Sequence, residues 1–363
     1  MSEVTAAADP PPVELDASAK ANPGAVRDER YFYHDGDCMF QVEGVQFKLH
    51  RFILCKDKDS MFSDMFNLPR PQDHHVAAGE GEPEIIPIPD ETARDFRALC
   101  WVHYAMPGEL TAQAIRTPDF GKLLSVLRMA HKFDMREFEK WAWEMMKLRP
   151  TLLDKYLEGC SEAALARALE IAVKSANQEL AEAVEKIWLL GIQGSRPGVR
   201  STYALATAEH LGRRRFETCI YLELRRQLRS VPHLVSPARG FAHFGLDPEQ
   251  LQKLLVGHAM LSNMLQSPST APIPKAATCR GHNFCSGKWV EIYKFNENEP
   301  LKSISSIRTA GQATGNPCIV GHLNNVLPKV EDIESAFLGP GMLASQLALD
   351  ARRSPRVLHP ATI

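Results

Sequence analysis

Residues 38–49 alternate between apolar and polar side chains in two short runs, and Gly44 separates the runs. A period of two residues on both sides of a glycine-containing turn predicts a β-hairpin, because successive side chains of a strand point to opposite faces. After His50 the apolar residues recur at about helical spacing, and the segment 57–60 offers a break and a helix cap. The stretch 35–66 therefore predicts a strand, a turn, a second strand and two short helices.

From about residue 151 to 297 the pattern is helical, and the segment 298–363 follows with a weaker pattern. The apolar stripes predict helices over about 161–188, 201–228 and 247–265. Asp247 and Gln250 form a capping box that marks the start of the last of these helices. We expect 298–363 to be a weakly structured tail with one helix at 330–338.

Two segments lack large apolar side chains. Residues 1–28 are rich in Ala, Pro and acidic residues, and they predict a disordered tail because they cannot bury enough surface to offset the entropy of ordering. The segment 69–83 is rich in Pro, Gly and polar residues and predicts a mobile loop.

The composition is that of a globular protein, with 44% hydrophobic and 24% charged residues and a net charge of −2. The eight cysteines are scattered and form no dense framework, so we expect free thiols in a reducing compartment. No segment has the pattern of a signal peptide or approaches the length of a membrane span. These features predict a cytoplasmic or nuclear protein.

An ordered set of residues resembles the BTB/POZ domain family over about residues 30–147. In the first part of this stretch the matching residues are Asp37, Phe47, His50, Arg51, Leu54, Ser60, Phe62, Met65 and Phe66. Further on, 84–90 resembles the next strand of the family, 96–104 the following helix with its Tyr, and 123–135 the closing pair of helices. The resemblance implies an α/β (α+β) BTB/POZ-like domain at 30–147. The mostly α-helical region at 151–297 is similar to the helical extension of some fungal BTB proteins.

This resemblance implies a protein–protein interaction module that docks partners and associates with itself, and that has no catalytic activity of its own and needs no cofactor. Asp37 and Arg51 match positions that lie near the dimer interface of the family as a partly buried charged pair. The residues assigned to the protein-binding surface are Asp37, Arg51, Phe62, Met65, Phe66, Tyr104 and Met129. The chain shows no obvious extra strand before Asp35 that could exchange with a partner.

A first alternative is a substrate adaptor of a cullin-based ubiquitin ligase. Such adaptors often carry an apolar-x-Glu motif just after the Met-Phe helix, and 66–71 lacks it here. Recognition surfaces depend on a few anchor residues, so the missing motif counts against a cullin as partner.

A second alternative is a zinc-containing regulator linked to nucleic acid. The soft ligands Cys279, His282, Cys285, Cys318 and His322 lie close in the sequence, and four of the five could hold a tetrahedral zinc ion. Loop thiols packed under Trp289 explain the same residues without a metal. The basic residues within 213–229 could contact phosphates, but a solvated helix face explains them too, and the net charge of −2 gives nucleic acid no support.

Enzyme motifs are missing from the sequence. The segment 281–288 has the wrong spacing for a phosphate-binding loop, and Gly-x-Ser-x-Gly, His-Glu-x-x-His and Gly-x-Gly-x-x-Gly do not occur. We therefore expect binding rather than catalysis.

Overall fold

The structure is a computed structural model, and it describes residues 26–68, 83–230, 241–266 and 272–339. The chain divides into two compact units, Met1–Leu153 and Asp154–Ile363. The predicted mobile loop lies outside the described residues except for Pro83, and so do the first 25 residues of the predicted disordered tail.

Four strands in the described part of the first unit form one mixed sheet of order β1-β3-β2-β4. Their bounds are β1 Val26–Phe32, β2 Cys38–Val42, β3 Val45–Leu49 and β4 Ile85–Pro87. β2 and β3 form the predicted antiparallel hairpin, with Phe40 opposite Phe47, and both outer strands pair in parallel. Glu43 and Gly44 make the turn with φ of 48° and 77°, because a two-residue turn that follows the strand twist requires positive φ at both positions.

Helices cover the sheet. The helices from residue 51 to residue 158 are α1 Arg51–Leu54, α2 Met61–Asn67, α3 Ala93–Tyr104, α4 Pro107–Ile115, α5 Phe120–Lys132, α6 Arg136–Lys147 and α7 Pro150–Glu158. Ser60 caps α2 by accepting a hydrogen bond from Ser63 N–H at 3.3 Å, as the sequence predicts. The ring of Phe96 in α3 lies 4.8 Å from that of Phe47 and 5.6 Å from that of Phe40, and this contact joins helix to sheet in the core.

β1 corrects two expectations, the disordered tail through residue 28 and the missing strand before Asp35. Its sequence is mostly polar, so the alternating pattern is weak, and it is held by parallel backbone pairing with β3 in the same chain. Asp28 is buried, and its carboxylate accepts hydrogen bonds from Tyr31 N–H at 2.9 Å and from Nε of Arg97 at 2.6 Å. A buried carboxylate needs such partners, and these partners are visible only in the fold.

The second unit is helical in its described residues. Its helices after α7 are α8 Glu162–Lys174, α9 Gln178–Gln193, α10 Ser201–His210, α11 Arg214–Ser230, α12 Pro248–Gln266, α13 Asn283–Ile292, α14 Pro300–Ala313, α15 Pro317–Val326 and α16 Val330–Leu338. Two predicted helices are each divided in two, at Ala176 and at Gly212, where φ is 51° and 65°. The predicted capping box of α12 is confirmed, since Asp247 Oδ1 accepts from Gln250 N–H at 2.8 Å and Asp247 N–H donates to Gln250 Oε1 at 3.4 Å.

The expectation of a weakly structured tail from residue 298 is wrong for 300–338, because α14, α15 and α16 lie there. The helices begin at good start signals, Pro300 in the first turn of α14 and Asn316 as the cap of α15. Their apolar residues are few, and helices of this kind are stabilised mainly by tertiary packing rather than by propensity. Ile304 and Ile319 are among the residues buried in that packing.

Helices α12 and α16 approach closely at Gly257. A Cβ atom added at Gly257 would lie only 2.0 Å from Cδ1 of Phe337, whose ring is buried and stacks on Tyr221 with centroids 5.7 Å apart. We expect Gly257→Ala to lower the free energy of unfolding by about 1 to 3 kcal/mol, because overpacking a well-filled core forces its neighbours to shift. Denaturant unfolding monitored by circular dichroism measures this change.

The matched control is Gly321→Ala in α15, where an added Cβ meets nothing within 4 Å. Because alanine is the better helix former by about 0.5 to 1 kcal/mol, this variant should be more stable than the parent. Equal changes in both variants would contradict the close approach at Gly257.

Among the described residues, no helix combines the length and the apolar character that crossing a bilayer requires.

Candidate functional site

Asp37 and Arg51 lie together, but they do not form the predicted charged pair. The carboxylate of Asp37 accepts a hydrogen bond from the backbone N–H of Arg51 at 2.7 Å. Arg51 is the first residue of α1, so the carboxylate satisfies one of the N–H groups that a helix start leaves without an intrahelical partner. Asp37 itself is exposed, and its negative charge remains available to a partner.

The guanidinium of Arg51 lies over the ring of Phe66, 5.0 Å from its centroid. This arrangement is a cation–π contact between the start of α1 and the end of α2. Nε of Arg51 is buried without a hydrogen-bond partner. Phe66 and Met65 are half-buried, so these two predicted surface residues and Arg51 are partly accessible.

Two predicted surface residues are core residues instead. Phe62 is 1% exposed, and its ring stacks on Phe133 with centroids 4.4 Å apart. Met129 is fully buried in α5. Both side chains point into the core, so neither can contact a partner in the folded protein.

Tyr104 has a structural role at the end of α3. Its ring stacks on Tyr33 at 4.9 Å, and its hydroxyl oxygen accepts a hydrogen bond from His50 N–H at 2.9 Å. The same hydroxyl lies 3.1 Å from Nδ1 of His50. Burial raises the pKa of Tyr104 above its ordinary value, so the hydroxyl stays protonated. The residue thereby holds the corner between β3 and α1.

The sequence interpretation missed the most accessible large apolar side chains of α1 and α2. Phe52 in α1 is 69% exposed and Met61 in α2 is 52% exposed. The sequence carries no signal that separates them from their buried neighbours, because Met61 and Phe62 each have an apolar residue four positions further on. We call Phe52 and Met61, together with Asp37, Arg51 and Phe66, the α1–α2 surface.

Four of the five predicted metal ligands converge in the second unit. Cys279 and His282 precede α13, Cys285 lies in its first turn, and Cys318 lies in the first turn of α15. The four ligand atoms all lie within 4.8 Å of one another. Sγ of Cys279 is 3.8 Å from Sγ of Cys285, and Sγ of Cys318 is 3.6 Å from Nδ1 of His282.

His322 is not part of this cluster. Its ring is buried and packs edge-on against Trp289, with centroids 4.8 Å apart. Burial lowers the pKa of His322, which favours the neutral ring. The packing of His322 against Trp289 thus reduces the five predicted metal ligands to four.

Two N–H groups donate hydrogen bonds to sulfur atoms of the cluster. The backbone N–H of Ala276 donates to Sγ of Cys318 at 3.2 Å, and Nδ2 of Asn316 donates to Sγ of Cys285 at 3.4 Å. The oxygen of the Asn316 amide accepts from Cys318 N–H at 2.9 Å as the cap of α15. This cap orients the amide so that its NH₂ group points to the sulfur. The sequence interpretation did not consider Asn316.

Most of the basic residues of 213–229 have partners within the protein. Arg213 donates to Glu185 at 2.6 Å, Arg226 pairs with Glu223 at 2.6 Å, and Arg229 pairs with Glu297. Arg225 is buried, and it donates to the backbone carbonyl of Glu297 at 2.9 Å. These contacts explain the basic run without a nucleic acid.

The first unit combines a small mixed sheet with helices, and large apolar side chains are exposed on the adjacent helices α1 and α2, as expected of a protein-interaction module. Residues 30–147 match the family profile of the BTB/POZ domain, which confirms the predicted domain. The chain thus contains a BTB/POZ domain, a protein-interaction module, followed by a mostly helical region. Neither the search of curated proteins nor the search of solved structures found a match.

Proposed function

We propose that this protein is a non-catalytic interaction protein of the cytoplasm or nucleus, and that its BTB/POZ domain joins two copies of the chain through the α1–α2 surface. The observation that carries the proposal is the exposure of Phe52 and Met61 on two adjacent helices. Full burial of one large apolar side chain is worth about 1.5 to 3 kcal/mol, so these residues provide a driving force for association.

The charges of the α1–α2 surface favour a second copy as the partner. The exposed carboxylate of Asp37 accepts a hydrogen bond from the backbone N–H of Arg51, and the side chain of Arg51 is itself partly accessible. In a two-fold interface the same patch faces itself, so adjacent opposite charges can pair across the axis. Such charge pairs would fix the orientation of the two copies, while the apolar side chains supply the driving force for association.

We expect Phe52→Asp to weaken self-association without unfolding the protein, because the side chain is already 69% exposed. Loss of a central apolar anchor raises the dissociation constant about 30-fold or more, which corresponds to about 2 kcal/mol. Sedimentation velocity across a concentration series measures this constant.

The matched control is Ile115→Asp, at the end of α4 in the same unit, where the side chain is 70% exposed. This variant should associate as the parent does. A parent protein that is monomeric at every concentration, or an association that only Ile115→Asp disrupts, would disprove the proposed interface.

The cullin adaptor is the alternative, and it predicts a different partner for the same domain. Affinity purification from native lysate with mass spectrometry, done with the parent and with a variant carrying Asp37→Asn and Arg51→Gln, separates the two. Cullin peptides recovered with the parent would make the protein an adaptor. Self-association that is lost in the variant, without a cullin, would support the scaffold.

A further inference from the structure

The cluster of Cys279, His282, Cys285 and Cys318 is independent of the interaction surface, and its chemistry differs. Three thiols and one imidazole are the donor set of a Cys₃His zinc site. Soft thiolate and imidazole ligands suit Zn²⁺, whereas Mg²⁺ and Ca²⁺ require oxygen ligands, and the four residues offer none from their side chains. We propose that these four residues bind one zinc ion.

Two of the separations between ligand atoms match the edges of a tetrahedral zinc site, and all four atoms lie within 4.8 Å of one another. With Zn–S bonds of about 2.3 Å and a Zn–N bond of about 2.0 to 2.1 Å, tetrahedral angles place two sulfurs about 3.8 Å apart, and a sulfur and a nitrogen about 3.6 Å apart. The separations are 3.8 Å between Cys279 and Cys285 and 3.6 Å between Cys318 and His282. Both agree with the expected edges of the tetrahedron.

A disulfide is a weaker explanation of the same cluster. The sulfur atoms of Cys279 and Cys285 lie 3.8 Å apart, compared with about 2.05 Å in a disulfide, and all three cysteines are free. A bond between them would also leave unexplained why Cys318 and His282 point at the same place. A metal accounts for all four side chains together.

The neighbouring N–H groups fit thiolate ligands. Zinc binds the deprotonated thiolate, and a thiolate accepts hydrogen bonds more strongly than a neutral thiol does. Ala276 N–H and Asn316 Nδ2 donate to two of the three sulfurs. Such contacts orient metal ligands, and their loss typically weakens metal binding about 10- to 100-fold.

The zinc site is structural. Its four protein ligands complete the tetrahedron and leave no open position for water or a substrate, which separates a structural site from a catalytic one. Three ligands come from the start of α13 and the segment just before it, and the fourth comes from α15, so the ion cross-links two parts of the second unit that are distant in sequence.

The test uses the full-length protein, purified with a thiol reductant and without chelators, and measures metal content by inductively coupled plasma mass spectrometry. We expect one zinc ion per chain. Cys279→Ser and Cys318→Ser should each lose the zinc, whereas Cys160→Ser, which changes a half-buried thiol elsewhere in the unit, should keep it.

Two further variants guard against simple misfolding. His282→Cys supplies a fourth thiolate and should keep the zinc, whereas His282→Ala should lose it. Asn316→Ser keeps a good helix cap but removes the N–H donor to Cys285, so we expect about 10- to 100-fold weaker zinc binding with an intact helix. Cobalt added to the zinc-free parent should give the thiolate charge-transfer band and the visible spectrum of a tetrahedral site.

Several results would overturn the assignment. These are a parent protein with free thiols and no zinc, a Cys279–Cys285 disulfide in the reduced preparation, stoichiometric iron instead of zinc, or zinc that stays after Cys318→Ser. An octahedral cobalt spectrum would also overturn the assignment, because the proposed site is tetrahedral.

Discussion

Replacing Phe62 with alanine is expected to lower the free energy of unfolding of the first unit by about 3 to 5 kcal/mol, the range for removing a buried aromatic ring. The ring of Phe62 is 1% exposed, stacks on Phe133 at 4.4 Å and meets the edge of Phe40 at 5.7 Å. Its loss leaves a cavity between α2 and the sheet that the closely packed neighbours cannot fill. A loss of this size is a large part of the stability of an ordinary domain.

The measurement should report on the first unit alone, because a chain of two units need not unfold in one step. Hydrogen exchange of peptides from α3 and α5 follows the stability of this core in the intact chain. Phe52→Ala is the control, since its side chain is 69% exposed and the change should stay within about 0.5 kcal/mol. If both variants lost equal stability, or if Phe62→Ala lost none, Phe62 would belong to the surface as the sequence interpretation placed it.

The second large effect is a loss of stability in acid that comes from His103. Burial of this side chain in α3, followed in size by the charge of Lys56, lowers its pKa from 6.5 to about 4. The ring packs edge-on against Phe138 at 5.0 Å, and its Nε2 is buried without a hydrogen-bond partner. The folded protein therefore holds His103 neutral at a pH where the unfolded chain protonates it.

The sign of the effect follows from proton binding. Between about pH 6.5 and pH 4 the unfolded state binds a proton at His103 that the folded state does not bind, so stability falls as the pH falls through this window. The full contribution above pH 6.5 is on the order of 3 kcal/mol, because the pKa of His103 is 6.5 in the unfolded chain and about 4 in the folded protein. Below about pH 4 His103 is protonated in both the folded and the unfolded state, so it no longer makes the free energy of unfolding depend on pH.

His103→Gln is the test, because glutamine remains neutral at every pH. The free energy of unfolding of the first unit, measured from pH 7.5 to pH 4 for the parent and the variant, should show a smaller decline in the variant. The difference between the two curves isolates His103 from the carboxylates, which titrate in both proteins. Parallel curves would mean that His103 does not titrate with the lowered pKa.

Much of the BTB/POZ domain could be predicted from sequence because its signals are local. The alternation around Gly44 predicts the β2–β3 hairpin, and the positive φ of Glu43 and Gly44 is the backbone form of that signal. In the helical region that follows the domain, the capping box of Asp247 and Gln250 likewise predicts the start of α12. Each of these features depends on residues within a few positions of one another, and a linear pattern records such contacts directly.

The surface assignment depends on information that a linear pattern lacks. An apolar residue at helical spacing can face the core or a partner, and the pattern is the same in both cases. Phe62 and Met129 prove to be core residues, while Phe52 and Met61 are exposed. The difference is decided by which side of each helix packs into the core.

The metal cluster could also be predicted only in part from the sequence. Composition and spacing in the sequence predict five candidate ligands and the kind of ion they could bind, because ligand chemistry belongs to the residue type. The tertiary structure selects four of them, by bringing the start of α15 next to the start of α13 and by packing His322 against Trp289. Residue chemistry and local periodicity are thus readable along the chain, whereas β1 pairing, exposure and ligand geometry arise from contacts between residues far apart in sequence.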